Sequence, residues 1–256
     1  MIEAEQYGEG PPLVLIHGSP SNAQAWKQVG QRLVDRFRII APTLPGHEPS
    51  PGPLRPTETA DLAEAVETLL AGIDGPLRIA GHSYGGNVAL QIALRRVVPV
   101  DRLILLEPVL MGVLPAVGEG TLFAGAKALF ERYIAAVEAD EPGAVSIMVD
   151  YMFGPGALGR MPPPMQAYLA AQAPVNARDV GATFRERHGP APLAALDCPT
   201  TVAFGGASPI LLQTIARRLA ETMADGAAVE IAGAGHAMLA SHPAQVAAAI
   251  ADFAGD

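Results

Sequence analysis

Ser83 sits between glycines in Gly81-His82-Ser83-Tyr84-Gly85-Gly86, directly after the apolar run Leu77-Arg78-Ile79-Ala80 and directly before a helical run over 87–96. A strand, a tight turn and a helix with serine at the apex force that residue into a sparsely populated backbone conformation. Small residues at 81 and 85 let strand and helix approach, and the hydroxyl is held out for attack. A serine hydroxyl is a poor nucleophile at neutral pH and needs a base with a pKa near 6.5, the ordinary value of histidine. Of the six histidines, His236 is best placed, in Gly235-His236-Ala237 between the last strand-like run and the last helix. His17 and His82 read as structural, and His47, His188 and His242 as solvent-facing or locally bonded.

An imidazole that takes a proton also needs a carboxylate behind it. Glu107 closes the apolar run Leu103-Ile104-Leu105-Leu106, and a carboxylate in that place is costly unless it is paired. The cost favours a role in the chemistry. A salt bridge to an arginine or a substrate contact is the other reading of Glu107, while Asp197 and Asp225 lie before a strand and in a turn.

The elements that must position these groups alternate along the chain. Strand-like runs are expected at 13–17, 37–41, 77–80, 102–106, 200–204 and 229–232, with amphipathic helices near 23–34, 57–71, 87–96, 210–222 and 243–253. Runs apolar at consecutive positions suit strands buried on both faces, so the fold class is α/β: a mainly parallel, doubly wound sheet of about eight strands. The rhythm breaks after Glu107. Over 109–192 only helix-like pieces occur (121–139, 143–151, 164–173 and 179–187), separated by Gly and Pro clusters. The organisation expected is a core of 1–108 and 193–256 with a helical cap, 109–192, inserted over the carboxyl ends of the strands. The stretch 49–56 reads as a proline-rich loop.

With His17-Gly18-Ser19-Pro20 after the first buried strand, Ser83 on the elbow, His236 after the last strand and Ile40-Ala41-Pro42-Thr43-Leu44-Pro45-Gly46-His47 after the second, the sequence resembles the α/β-hydrolase fold superfamily. The likeness covers most of the chain and is loosest over 109–192. It implies an oxyanion hole built from the backbone N–H groups of Ser19 and Tyr84. In many members the acid follows the strand matched here by 200–204, yet this chain reads Gly205-Gly206-Ala207-Ser208-Pro209. Some members carry the acid where Glu107 stands, so the expected triad is Ser83, His236 and Glu107. A serine nucleophile sets the chain apart from the haloalkane dehalogenases and epoxide hydrolases of this fold, which use aspartate.

Methionines 111, 148, 152, 161 and 165 and several aromatic residues fall in the helical region and suggest a lid over an apolar pocket. Trp26, Met111, Tyr151 and Met238 are candidate pocket residues, with core packing under the loop after the first strand the leading reading of Trp26. The substrate expected is a small or medium apolar ester, cleaved through an acyl-enzyme. Lactone, thioester or carbon–carbon bond hydrolysis and cofactorless haloperoxidase activity are chemical neighbours, and a receptor that keeps the pocket is the non-catalytic alternative.

Composition bounds the partners. A net charge of −9 without a basic cluster excludes nucleic acid. No cofactor is expected, and no Cys/His spacing resembles a metal site. One cysteine, Cys198, no basic and apolar leader at the start and no run of 18 apolar residues point to a cytoplasmic protein without a membrane span.

Overall fold

The computed structural model describes residues 2–50, 52, 58–186 and 188–255. Most of the proline-rich stretch 49–56 therefore lies outside the described residues, as do the expected helix start at 57 and helix end at 187.

Seven strands form one sheet: β1 (Ala4–Tyr7), β2 (Pro12–Ile16), β3 (Arg38–Pro42), β4 (Leu77–His82), β5 (Val100–Leu106), β6 (Thr200–Gly205) and β7 (Gly226–Ile231). Their order is β1-β3-β2-β4-β5-β6-β7. Every pairing is parallel except that of β1 with β3. The sequence indicated about eight strands and located six. The seventh is β1, whose Ala-Glu-Gln-Tyr carries no apolar run; it exists through its register with β3, from Ala4 opposite Pro42 to Tyr7 opposite Ile39. A short charged edge strand is one way a sheet avoids pairing with other chains.

Consecutive apolar residues in the central strands point to opposite faces. Val14, Ile16, Ile79, Leu103 and Leu105 pack under the helices Thr59–Leu70, Tyr84–Arg95 and Ile210–Thr222. Leu13, Leu15, Ala80, Ile104 and Leu106 pack under Trp26 and the helix Pro243–Ala254. Each such side chain taken fully out of water contributes about 1.5–3 kcal/mol, so the unbroken apolar runs fix the sheet at the centre of a doubly wound fold.

The helical expectation fails mainly at 23–34. That stretch forms a 3-10 turn, Ala23–Trp26, and a single helical turn, Lys27–Gly30, followed by further turns. Between β5 and β6, among the described residues, there is no strand. The longer helices there are Gly120–Glu138, Ala144–Phe153, Pro163–Ala171 and Ala173–Arg185. No helix among the described residues is long and apolar enough to cross a membrane.

The sheet order puts the site where it is. From β2 the chain runs outward to β3, then returns to the other side of β2 as β4. The carboxyl ends of β2 and β4 thus flank the point where the winding reverses, the crevice in which open α/β sheets bind ligands.

Candidate active site

Ser83 directly follows β4 with φ 53° and ψ −124°, a conformation rarely occupied by a residue with a side chain. Its own N–H is tied to Leu106 O at 2.9 Å on the neighbouring strand. The turn closes so tightly that a Cβ on Gly81 would lie 2.2 Å from Gly85 O, and one on Gly85 would lie 2.3 Å from both His17 O and Ile16 O. Strand, turn and helix meet here only because both positions are glycine.

The three expected catalytic side chains come together from the carboxyl ends of β4, β5 and β7. His236 Nδ1 is 2.6 Å from Glu107 Oε2, and His236 Nε2 is 3.1 Å from Ser83 Oγ. With Nδ1–H given to the carboxylate, Nε2 is left to accept the serine hydroxyl. Glu107 is fully buried and its second oxygen accepts Gly205 N–H at 2.7 Å. Burial pushes its carboxyl upward, but the hydrogen bond and charge of His236, aided by Ser208 and the Gly205 N–H, outweigh that and hold its pKa below the usual value. Ser208 lies near enough to help keep Glu107 ionised, yet its buried hydroxyl makes no well-formed hydrogen bond among the described residues.

Two further histidines frame the site. His17 Nδ1 donates to Gly18 O at 2.8 Å and Nε2 accepts from Leu44 N–H at 2.9 Å. His82 Nε2 donates to His236 O at 3.0 Å and so anchors the loop that carries His236. Burial, with neighbouring histidines adding to it, drives both pKa values down to about 3.

Ser19 and Tyr84 line the cavity beside Ser83. Tyr84 is the first residue of the helix Tyr84–Arg95, so its N–H has no acceptor within the helix.

The cavity measures about 290 Å³. Its apolar wall comes chiefly from the region between β5 and β6, including Phe130, Val145, Met148, Met152, Phe153 and Val180. Phe153 lies against the base, ring centroid 6.3 Å from that of His236. Of the expected pocket residues, Met111 lines the cavity, and three do not. Trp26 and Met238 are wholly buried in the core on the opposite face of the sheet from the helix Tyr84–Arg95, and their neighbours Ala25 and Leu239 line the cavity instead. Tyr151 stands behind the wall, edge-on to Phe130 at 5.6 Å.

A polar patch interrupts the apolar lining, and it was not foreseen. Asn176, Asp179 and Thr183, three and four residues apart, share a face of the helix Ala173–Arg185 and reach the cavity together with Tyr133. Arg178 Nη2 holds Asp179 Oδ1 at 2.6 Å and Pro45 O at 3.2 Å. His47, read from sequence as a loop residue, is in fact 1% exposed, with Nε2 3.2 Å from Asp179 Oδ2. Behind Tyr84 lies a further buried carboxylate. Glu186 accepts from the Thr59 hydroxyl and from Asn87 Nδ2 at 3.1 Å, and burial raises its pKa to about 7. Polar residues at helical spacing in the alanine-rich 170–185 stretch were the one available signal for this patch.

With this geometry in view, the relationships of the chain are informative. The profile of the alpha/beta hydrolase family matches residues 13–249. A pimeloyl-[acyl-carrier protein] methyl ester esterase of Nitrosomonas europaea is 34% identical over 104 residues, 41% of this chain and 40% of that protein. A soluble epoxide hydrolase of a Corynebacterium species is 35% identical over 102 residues, 39% of this chain and 35% of that protein. The matched stretches thus span less than half the length of these curated relatives. Among solved structures, MenH of S. aureus superposes with a TM-score of 0.80 at 19% identity, over all of this chain and 98% of that one, which speaks to fold alone. The match along nearly the whole sequence, on a sheet of this order, establishes that the chain belongs to the alpha/beta hydrolase family.

Proposed function

We propose that the protein is a serine hydrolase that cleaves a small or medium apolar carboxylic ester through an acyl-enzyme. The observation that carries this reading is the unbroken relay from Ser83 Oγ through His236 to Glu107, at 3.1 Å and 2.6 Å. His236 Nε2 takes the proton as Ser83 Oγ attacks the ester carbonyl. Glu107, held ionised, stabilises the imidazolium formed and keeps the ring turned toward the serine. The carbonyl oxygen, now an oxyanion, is received by the N–H groups of Ser19 and Tyr84. His236 then protonates the departing alcohol, and a water molecule activated by the same nitrogen releases the acid.

In this reading residues 109–192 form a cap over a core made of 1–108 and 193–256. The apolar side chains that this region turns toward Ser83 support an acyl group without charge, and the ester-cleaving names of curated relatives support the bond type. The serine at the elbow argues against an epoxide as substrate, because a serine adduct formed from an epoxide would be an ether that water does not readily cleave, whereas an acyl-serine hydrolyses.

The test is hydrolysis of p-nitrophenyl esters of increasing acyl length by the parent and by Ser83→Ala, with fluorophosphonate labelling in parallel. Turnover and labelling in the parent, both lost in Ser83→Ala, are the expected result. Labelling without turnover on any ester would replace the ester by a lactone or a carbon–carbon bond substrate, and a folded protein that does neither would be a receptor.

A further inference from the structure

The loop after β2 crowds the nucleophile: a Cβ at Gly18 would lie 2.9 Å from Ser83 Cβ, and Ser19 follows directly along the cavity wall. In the hydrolytic reading only the backbone N–H of Ser19 has a task. Its side chain, however, is gripped from the helical region. The Tyr133 hydroxyl donates to Asn176 Oδ1 at 2.8 Å, and Asn176 Nδ2 donates to Ser19 Oγ at 3.1 Å. Tyr133 and Asn176 are 2% and 5% exposed, so this arm is fixed in place by packing.

The direction of the chain follows from the groups themselves. An amide oxygen has no hydrogen, so Tyr133 must be the donor to it; the amide nitrogen then points to Ser19 Oγ and has only hydrogens to give. Ser19 Oγ therefore spends a lone pair on Asn176 and keeps its own proton for another acceptor. No acceptor for that proton occurs among the described residues. A hydroxyl that accepts one hydrogen bond becomes a stronger donor of the next. An alkoxide oxygen, unlike the ground-state carbonyl, has three lone pairs, and the two backbone N–H groups leave one direction open.

We infer that the Ser19 hydroxyl is a third oxyanion donor, with Asn176 and Tyr133 as positioning residues that set its direction. The inference rests on the ester-hydrolysis reading above. It also gives the helical region a part in the chemistry beyond covering the pocket, since the arm that aims Ser19 comes from the helices Gly120–Glu138 and Ala173–Arg185.

The experiment compares kcat and KM on one p-nitrophenyl ester, and affinity for a trifluoromethyl ketone, in the parent, Ser19→Ala, Ser19→Thr, Tyr133→Phe and the Ser19→Ala/Tyr133→Phe double variant. The ketone adds Ser83 to form a tetrahedral oxyanion, so its affinity reads the hole directly. Ser19→Ala is expected to lower kcat about ten- to a hundredfold with KM within about twofold, and to weaken the ketone by a similar factor. Ser19→Thr recovers most of that loss. Tyr133→Phe shows a smaller drop, and adds nothing once Ser19 is alanine. Unchanged kcat and ketone affinity in Ser19→Ala, in an active parent, overturns the inference and leaves the hydrolase reading standing. A fall in kcat with ketone affinity intact overturns it too, by making the role merely structural. A parent that neither turns over esters nor binds the ketone fails the hydrolase reading itself and takes this inference with it.

Discussion

Glu107 and His236 are 129 residues apart in the chain and 2.6 Å apart in space. Both Ser83 and Glu107, at the ends of adjacent parallel strands, have positive φ, 53° and 47°, so each strand end is bent to bring its side chain toward the same imidazole. Replacing Glu107 by glutamine preserves an acceptor for Gly205 N–H and removes the charge. We expect Glu107→Gln to lower kcat by roughly 10⁴ with the fold intact, the scale seen when a triad carboxylate becomes an amide. A loss under tenfold would remove Glu107 from the mechanism.

The serine at 208 offers a second test of the same pair. Its hydroxyl is buried near the Glu107 carboxylate, so a carboxylate there would enter the same surroundings from β6 instead of β5. Adding Ser208→Asp to Glu107→Gln should restore part of the lost kcat, while Ser208→Asn in the same background should not. Equal rates for the two additions would show that position 208 has no line to His236.

The elbow makes a prediction about stability. In Gly85→Ala the new methyl would meet His17 O and Ile16 O at 2.3 Å, and both are backbone atoms of the strand that leads into Ser19. Relief requires the start of the helix Tyr84–Arg95 to move away from the end of β2, so we expect a loss of at least about 3 kcal/mol in urea unfolding, the upper end for overpacking. Gly159→Ala is the control: it has open space around its Cβ and lies within the short helix Ala157–Arg160. It should change stability by no more than about 1 kcal/mol, in the stabilising direction. Comparable losses at both positions would mean that the crowding at Gly85 is relieved without cost.

The tight turn around Gly85 is legible in the sequence because its cause is local. The same holds for the apolar runs of β2 to β6 and for the helix Ile210–Thr222. β1 is not legible, because its reason for being a strand lies in the backbone of β3 and not in its own four residues. Ser83 and Glu107 of the proposed triad stand out because each directly follows an apolar strand, where a nucleophilic or charged residue is conspicuous, and His236 because it lies in the short loop after the last strand. The patch of Tyr133, Asn176, Asp179 and His47 does not, since each is unremarkable alone and they meet only when the helix Ala173–Arg185 crosses the loop after β3. Met238 is misplaced by sequence reasoning for a simpler reason: adjacent residues on this turn face opposite ways, so a one-residue error exchanges cavity for core, whereas Trp26 takes the core place that is its leading reading from sequence.

Buried titrating groups predict an acid-sensitive fold. His17 and His82 are held at about 3 against an ordinary 6.5. Between those values the unfolded chain binds two more protons than the folded one, and stability falls as pH drops through that window. Glu186 works in the opposite sense. Raised to about 7 from an ordinary 4.5, it gives the folded chain one extra proton between those values, so its contribution is lost as pH rises. Where the windows overlap, near pH 5–6, the histidines outweigh Glu186 and stability falls toward acid. The lowered values of His188 and Glu107 act in the same direction as the two histidines. Urea midpoints measured across this range should fall toward acid, and Glu186→Gln should steepen that fall. A variant slope equal to the parent's would place the Glu186 titration outside the window.

The cavity wall makes a prediction about selectivity. Val145, Met148, Val149 and Met152 follow one face of the helix Ala144–Phe153 and reach the cavity together. An acyl chain extending from Ser83 along that face gains about 0.8 kcal/mol for each methylene it buries, close to a fourfold change in kcat/KM. Met152→Ala removes side-chain volume from the wall, so the preferred p-nitrophenyl ester should lengthen by one or two methylenes, with the rate on short esters little changed. Met165→Ala provides the contrast, since Met165 is 47% exposed and does not line the cavity, and its chain-length profile should match the parent's. If both variants keep the parent profile, the acyl group does not run along the helix Ala144–Phe153; it must then lie against the polar face of Ala173–Arg185, where Asn176 and Asp179 would favour a substrate carrying a hydrogen-bonding group over a plain hydrocarbon chain.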